Sequence, residues 1–208
     1  WQSTPHGGYL ERQEAAGHVR LEERIEKQGH QPATLLLTGI TGTRKRSIAY
    51  ALERRLFERG VNVVVLEGQK MRLGLGRDLG FSVKGRDENL RRVSEMAHLL
   101  NESGTLCICS FVAPFAETRG RAKELIGADR FLEVHVDAPL DFCRKNDPAG
   151  LYAKADVGEI KDFPGLTAPY EAPENPDCKL SSHEQPVDAC VEQLVQLLIG
   201  RGIIKEGS

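Results

Sequence analysis

Gly39-Ile40-Thr41-Gly42-Thr43-Arg44-Lys45-Arg46-Ser47 follows the apolar run Thr34-Leu35-Leu36-Leu37, and this join of a buried strand to a glycine-bearing turn decides the fold. The spacing is close to G-x-x-x-x-G-K-[ST], in which glycines let backbone N–H groups close around phosphate oxygens while the lysine and hydroxyl serve the phosphates and a divalent cation. Gly39 and Lys45 fit that pattern, whereas Arg44 stands where the second glycine belongs and Arg46 where the hydroxyl belongs. A guanidinium has no lone pair to offer a cation. A side chain at 44 is expected to crowd the ligand or to strain the backbone by roughly 1–2 kcal/mol. Ser47 comes one residue late, about 100° further round the helix that follows. Taken alone, the stretch would also suit an ordinary strand-to-helix turn.

Outward from this turn, strands and helices alternate. The patterning predicts strands at Thr34–Thr38, Val61–Leu66, Leu106–Phe111 and Phe131–Val136, with helices at Lys45–Arg59, Asp87–Ser103 and Glu117–Ile126 between them. Val61-Asn62-Val63-Val64-Val65-Leu66 is almost continuously apolar, as a strand covered on both faces would be. The expectation is a parallel sheet with right-handed crossovers. Residues 146–186 break the rhythm, with Pro164, Pro169, Pro173, Pro176 and Pro186 among many Gly, Asp and Glu residues. A loop of that length reads as an active-site lid. Val187–Ile199 closes the chain as an amphipathic helix. Residues 1–31 are polar, and Glu22-Glu23-Arg24-Ile25-Glu26-Lys27 reads as a surface helix in an N-terminal extension or linker.

The charge balance, 28 basic against 30 acidic residues with a net of −2, argues against a nucleic-acid partner. No apolar stretch approaches the ~20 residues of a membrane span and no secretory signal opens the chain, so a cytoplasmic protein is expected. Cys107, Cys109, Cys143, Cys178 and Cys190 are scattered and odd in number, which fits reduced thiols rather than a disulfide framework. Cys107 and Cys109 lie in a strand and lack a second pair at ligand spacing, so no metal is assigned to protein thiols. The sequence begins at Trp1 and its two methionines, Met71 and Met96, are internal, as expected of a piece of a longer polypeptide.

Three further stretches carry a resemblance. They are Leu66-Glu67-Gly68-Gln69-Lys70-Met71-Arg72 running into Asp78-Leu79-Gly80-Phe81-Ser82; Arg86-Asp87-Glu88-Asn89-Leu90-Arg91-Arg92; and Asp147-Pro148-Ala149-Gly150-Leu151-Tyr152 through Pro169-Tyr170-Glu171-Ala172-Pro173-Glu174-Asn175-Pro176. With the phosphate loop, they resemble the adenylyl-sulfate kinase (APS kinase) family over residues 32–200. The resemblance implies a three-layer α/β P-loop kinase fold with a central parallel sheet of about five strands, spanning residues 32–208 with a lid at 146–186. It implies phosphorylation of the 3′-hydroxyl of adenosine 5′-phosphosulfate (APS) from Mg·ATP, giving PAPS. It also implies a homodimer and a fused ATP sulfurylase or related sulfate-activating domain.

By that resemblance the APS side is largely kept. Arg72 and Arg86 look like the arginines that grip the phosphosulfate, with Asn89 one helical turn from Arg86. Phe81 and Phe163 resemble the aromatics that sandwich adenine, with Lys161 beside Phe163. The Ser110–Pro114 turn, including Ser110 and Val112, resembles the wall beneath. Guanidinium forks suit sulfate and phosphate oxygens, and flat rings accept a base. Solvated arginines and ordinarily packed phenylalanines would give the same residues. The ATP side departs from the family. Its Asp-Gly-Asp-Asn reads Glu67-Gly68-Gln69-Lys70, its Ile-Ser-Pro serine is Ala113, and its Arg-Asp-Pro and Lys-Lys-Ala-Arg read Asn146-Asp147-Pro148 and Ala153-Lys154-Ala155-Asp156. No catalytic residue is assigned, because Gln69 cannot be a base and Glu67 is a methylene too long.

Three readings remain open from sequence. One is a regulatory or docking domain that binds APS or PAPS without a metal site. Another is a working kinase using Mg and ATP, with Arg44, Lys45 and Arg46 on phosphate and Glu67 or Asp78 on the cation. The last is a structural domain with vestigial pockets.

Overall fold

The computed structural model describes residues 19–207. Its elements are α1 (Leu21–Gln28), β1 (Thr34–Thr38), α2 (Lys45–Glu58), β2 (Val63–Glu67), α3 (Gly68–Arg72), α4 (Val83–Glu102), β3 (Leu106–Ser110), α5 (Ala116–Ile126), β4 (Phe131–Asp137), α6 (Leu140–Lys145), α7 (Leu151–Asp156), β5 (Cys178–Ser181) and α8 (Val187–Gly200). The five strands form one sheet in the order β2-β3-β1-β4-β5, and every neighbouring pair is parallel. This is the expected three-layer α/β fold.

Every residue of β1 is buried, and alternation of side chains across the pleat splits them between two cores. Leu35 and Leu37 join Ile48, Leu52 and Leu56 of α2 and Leu194 and Leu198 of α8. Leu36 joins Cys107 and Cys109 of β3, Val93 and Ala97 of α4, and Ala122 of α5 on the other face. β1 and β3 are buried along their whole length, which is why they read as largely apolar runs, whereas β4 carries Glu133 and His135. A buried amide ties the layers together: Asn101 accepts from the Thr34 hydroxyl at 2.9 Å and donates to the Ala33 and Thr105 carbonyls at 3.0 and 2.9 Å.

Several boundaries differ from the sequence reading. The helix expected from Asp87 starts at Val83, because the Ser82 hydroxyl caps it by accepting from the Gly85 amide at 3.2 Å. The strand expected from Val61 starts at Val63. The segment 146–186, read as one loop, contains α7 and the edge strand β5, in which only Leu180 is buried. A four-residue edge strand with one buried side chain leaves no apolar run to find. Between β4 and β5 the chain builds a small core of its own from Ala138, Cys143, Tyr152, Ala155 and Phe163. In the N-terminal extension, α1 buries no residue, as a surface helix should; residues 1–18 lie outside the described part. All five cysteines are free, four of them buried and Cys178 half-buried. Among the described residues no helix is long and apolar enough to cross a membrane.

Candidate active site

The loop between β1 and α2 has the backbone of a phosphate cradle. Gly39 and Gly42 adopt φ of 154° and 87°. A Cβ at either would lie 2.3 Å from a carbonyl oxygen, of Val136 and Cys143 respectively, so both glycines are required by close approach of β4 and α6. Lys45 opens α2 with its ammonium folded back into the loop, donating to the Ile40 carbonyl at 2.8 Å and to the Thr43 hydroxyl at 3.3 Å. Burial pushes its pKa down to about 8, against the opposing charge of Glu67.

The two arginines do different things. Arg44 takes the left-handed conformation, φ 61° and ψ 14°, that the missing glycine would have taken freely. Its side chain leaves the loop: the guanidinium lies 4.7 Å over the Phe142 ring and donates to the Ser182 carbonyl at 3.4 Å. Of crowding and strain, the two outcomes expected at this position, the structure takes strain, offset by a stacked cation. Arg46, in the first turn of α2, crosses to the end of β2 and donates to the Gln69 side-chain oxygen at 3.2 Å. The two residues that replace a hydroxyl and a carboxylate are therefore bonded to each other. Ser47 is exposed on the next position of α2, and Thr41 offers its carbonyl to the lid.

The two acids that the sequence offered for a cation, Glu67 and Asp78, both have their carboxylate oxygens hydrogen-bonded. Glu67, only 7% exposed, caps α3 with both oxygens, accepting from the Gln69 and Lys70 amides at 3.1 Å each. Asp78 is gripped by both terminal nitrogens of Arg92 at 2.6 and 2.8 Å. Arg144 at the end of α6 is paired with Asp156 at 2.6 Å, the residue standing where the family has an arginine. Among the described residues no group of three or more His, Cys, Asp or Glu side chains is placed to hold a metal ion. A magnesium ion needs oxygen ligands in near-octahedral array, and a guanidinium bonded to an amide does not fit it.

On the opposite side, three of the sequence-predicted residues converge. Arg72 ends α3 and donates to the Leu79 and Gly80 carbonyls, both at 2.9 Å, with its guanidinium 4.4 Å over the Phe81 ring. Arg86, in the first turn of α4, donates to the Phe81 carbonyl at 2.9 Å, with its guanidinium 5.6 Å from the same ring. Burial lowers the pKa of both guanidinium groups; on Arg86 the neighbouring charge of Arg72 adds to this and that of Asp162 opposes it. Phe81 remains 58% exposed, presenting a ring flanked by two cations. Asn89 is buried against Gly76, where an added Cβ would lie 2.5 Å from its side-chain oxygen. Ser110 is buried at the end of β3, and the Val112 carbonyl accepts from the Thr38 hydroxyl at 2.6 Å. Lys161 is exposed. Phe163 is 3% exposed and packs edge-on against Tyr152 at 4.9 Å, so it belongs to the lid core rather than to the Arg72–Phe81–Arg86 group.

Sequence reasoning missed the bonds that fasten lid and wall to the site. The Tyr152 hydroxyl donates to the Thr41 carbonyl at 2.7 Å, and the Tyr170 hydroxyl lies 3.1 Å from that of Thr38. Tyr152 and Tyr170 stand in the quoted lid motifs, but long-range pairing has no local signature.

A family profile described as Adenylylsulphate kinase matches residues 31–181. The bifunctional enzyme CysN/CysC of Rhodopirellula baltica is 49% identical over 192 residues, covering 92% of this chain and 30% of that protein. The adenylyl-sulfate kinase of Prochlorococcus marinus is 44% identical, covering 88% of this chain and 92% of that one. The chain thus spans about three-tenths of the bifunctional relative and nearly all of the shorter one. Among solved structures, the Mycobacterium tuberculosis APS kinase CysC in complex with AMPPNP and APS superposes with a TM-score of 0.77 at 42% identity, over 81% of this chain and 98% of that one.

Proposed function

The chain belongs to the adenylyl-sulfate kinase family, and from that premise we propose that it is a sulfate-activation domain that keeps a site for APS or PAPS while metal-dependent transfer from ATP is crippled. The observation that carries the reading is the Arg46–Gln69 bond at 3.2 Å, which joins the two residues that stand where the family has a hydroxyl and a carboxylate. Phosphoryl transfer depends on positioning and charge neutralisation at that place. The Arg72–Phe81–Arg86 group, by contrast, is assembled and open, with a ring for a base and two guanidinium groups for phosphosulfate oxygens. The complex of the Mycobacterium relative with APS supports assigning that ligand here.

Such a domain would act as a regulatory or docking module. The bifunctional relative, more than three times the matched length, supports a fused sulfate-activating partner such as an ATP sulfurylase. A homodimer in the cytoplasm completes the proposal, and sedimentation velocity tests the dimer. The second reading, an active kinase, draws on two observations: the Arg44 side chain leaves the cradle open, and Lys45 holds its place.

Calorimetric titration with APS decides whether the kept half works. Saturable binding that weakens about tenfold or more in Arg72→Ala is expected, since a charge-assisted contact contributes about 1.5–3 kcal/mol. An APS affinity too weak to detect in the parent would leave only a vestigial pocket.

A further inference from the structure

We propose that the phosphate loop of this chain is a metal-independent polyphosphate site, in which the Arg46 guanidinium takes the position of the divalent cation. The inference rests on reading Gly39–Ser47 as a phosphate loop, and not on the state of the APS side. Three observations meet at this point. Arg46 occupies the position of the hydroxyl that would ligate a cation, and Gln69 the position of a carboxylate, and the two are joined at 3.2 Å. Both oxygens of Glu67 are taken by the amides of Gln69 and Lys70, and Asp78 is held by Arg92. The cradle itself remains, with Gly39 and Gly42 in glycine conformations and the Lys45 ammonium inside it.

Replacing a cation by a guanidinium is chemically coherent. A divalent ion on a nucleotide triphosphate bridges oxygens of adjacent phosphates and neutralises them. A guanidinium fork can bridge the same oxygens with parallel N–H donors while carrying positive charge. The bond to Gln69 uses one of the five donors the guanidinium has and leaves the others for phosphate oxygens. A neutral amide does this without cancelling the charge, whereas a carboxylate at 69 would form an ion pair. The paired change of hydroxyl to arginine and of carboxylate to glutamine is therefore one electrostatic exchange, removing two ligands and supplying the charge they would have held. A metal ion brought in with the nucleotide would meet Arg46 as a like charge at short range.

The test is calorimetric titration of the whole chain with ATP, in EDTA and in excess Mg²⁺, with APS affinity measured on the same preparation. The proposal expects the ATP dissociation constant in EDTA to lie within about threefold of the Mg²⁺ value, or below it. Arg46→Ser should weaken ATP binding in EDTA by about tenfold or more, with added Mg²⁺ recovering part of the loss. Arg46 is exposed, and unchanged APS affinity in the variant reports an intact fold. Weakening of the parent by EDTA beyond threefold overturns the proposal, as does a smaller loss in Arg46→Ser. So does the lack of ATP binding under both conditions in a preparation that binds APS or that unfolds in a single cooperative thermal transition. Failure of APS alone, with ATP binding as expected, counts against the proposed APS site and leaves this inference standing.

Discussion

Replacing Lys45 by methionine should make the ligand-free domain more stable, even though it removes the lysine of the proposed phosphate loop. The ammonium is buried in the loop, and burial pushes its pKa from the ordinary 10.5 down to about 8. A drop of that size corresponds to roughly 3 kcal/mol of preference for the neutral amine, which the folded chain forgoes whenever Lys45 is charged. Against this stand two hydrogen bonds, to the Ile40 carbonyl at 2.8 Å and the Thr43 hydroxyl at 3.3 Å. Their loss is small, because the Ile40 carbonyl keeps the Thr43 hydroxyl as a donor at 3.0 Å and a net hydrogen bond contributes about 1 kcal/mol. Methionine retains the apolar stem. The expected net gain near pH 7 is about 2 kcal/mol, or roughly 4–8 °C in Tm for a chain of this size. The sign with pH follows from linkage. From pH 8 toward 10.5 the unfolded chain still binds the proton that the folded chain has released, so the parent gains stability with rising pH while the variant does not. Thermal melts of both proteins between pH 6.5 and 9.5 check this, and their difference removes the contribution of other groups. A variant less stable than the parent at pH 7, or a difference that fails to narrow above pH 8, would refute the reasoning.

The other expectations concern the scaffold and the APS wall. Asn101→Ala removes three buried hydrogen bonds linking α4 to β1 and β3; a loss of about 2–4 kcal/mol in chemical denaturation is expected. Gly42→Ala forces a Cβ to 2.3 Å from the Cys143 carbonyl at a φ of 87°, whereas at Gly150 the φ is 64° and nothing lies within 4 Å. The first should therefore cost about 3 kcal/mol or more and the second about 1, compared by melting the two variants side by side. Phe81→Ala should leave Tm nearly unchanged, because the ring is already exposed, yet weaken APS about tenfold in calorimetry through loss of the stacked ring.

The middle of the sheet was legible because β1 and β3 are buried on both faces and so write themselves as largely apolar runs; β1, from Thr34 to Thr38, was placed to the residue. Strand β5 was not, since an edge strand with Leu180 alone buried leaves no pattern. Within the site, the resemblance singled out Arg72, Phe81 and Arg86, and α3 and the first turn of α4 bring the three together around one short connection. Of the two outcomes expected at Arg44, crowding or strain, the structure takes strain, because the side chain turns toward Phe142 and Ser182, nearly a hundred or more residues away. Phe163 is placed in the lid core by an edge-on contact with Tyr152, in the same segment. Local spacing reports which residues an element presents, and distant packing decides where a flexible side chain goes.

The most direct measurement is ADP release from ATP and APS in a coupled steady-state assay with Mg²⁺. Loss of a positioned base and of metal neutralisation predicts turnover about 10²–10⁴ below that of a family member with both aspartates. The combined substitution Arg44→Gly, Arg46→Ser, Glu67→Asp and Gln69→Asp should raise that rate. A parent that already turns over at the relative's rate, with no gain on substitution, would contradict the account.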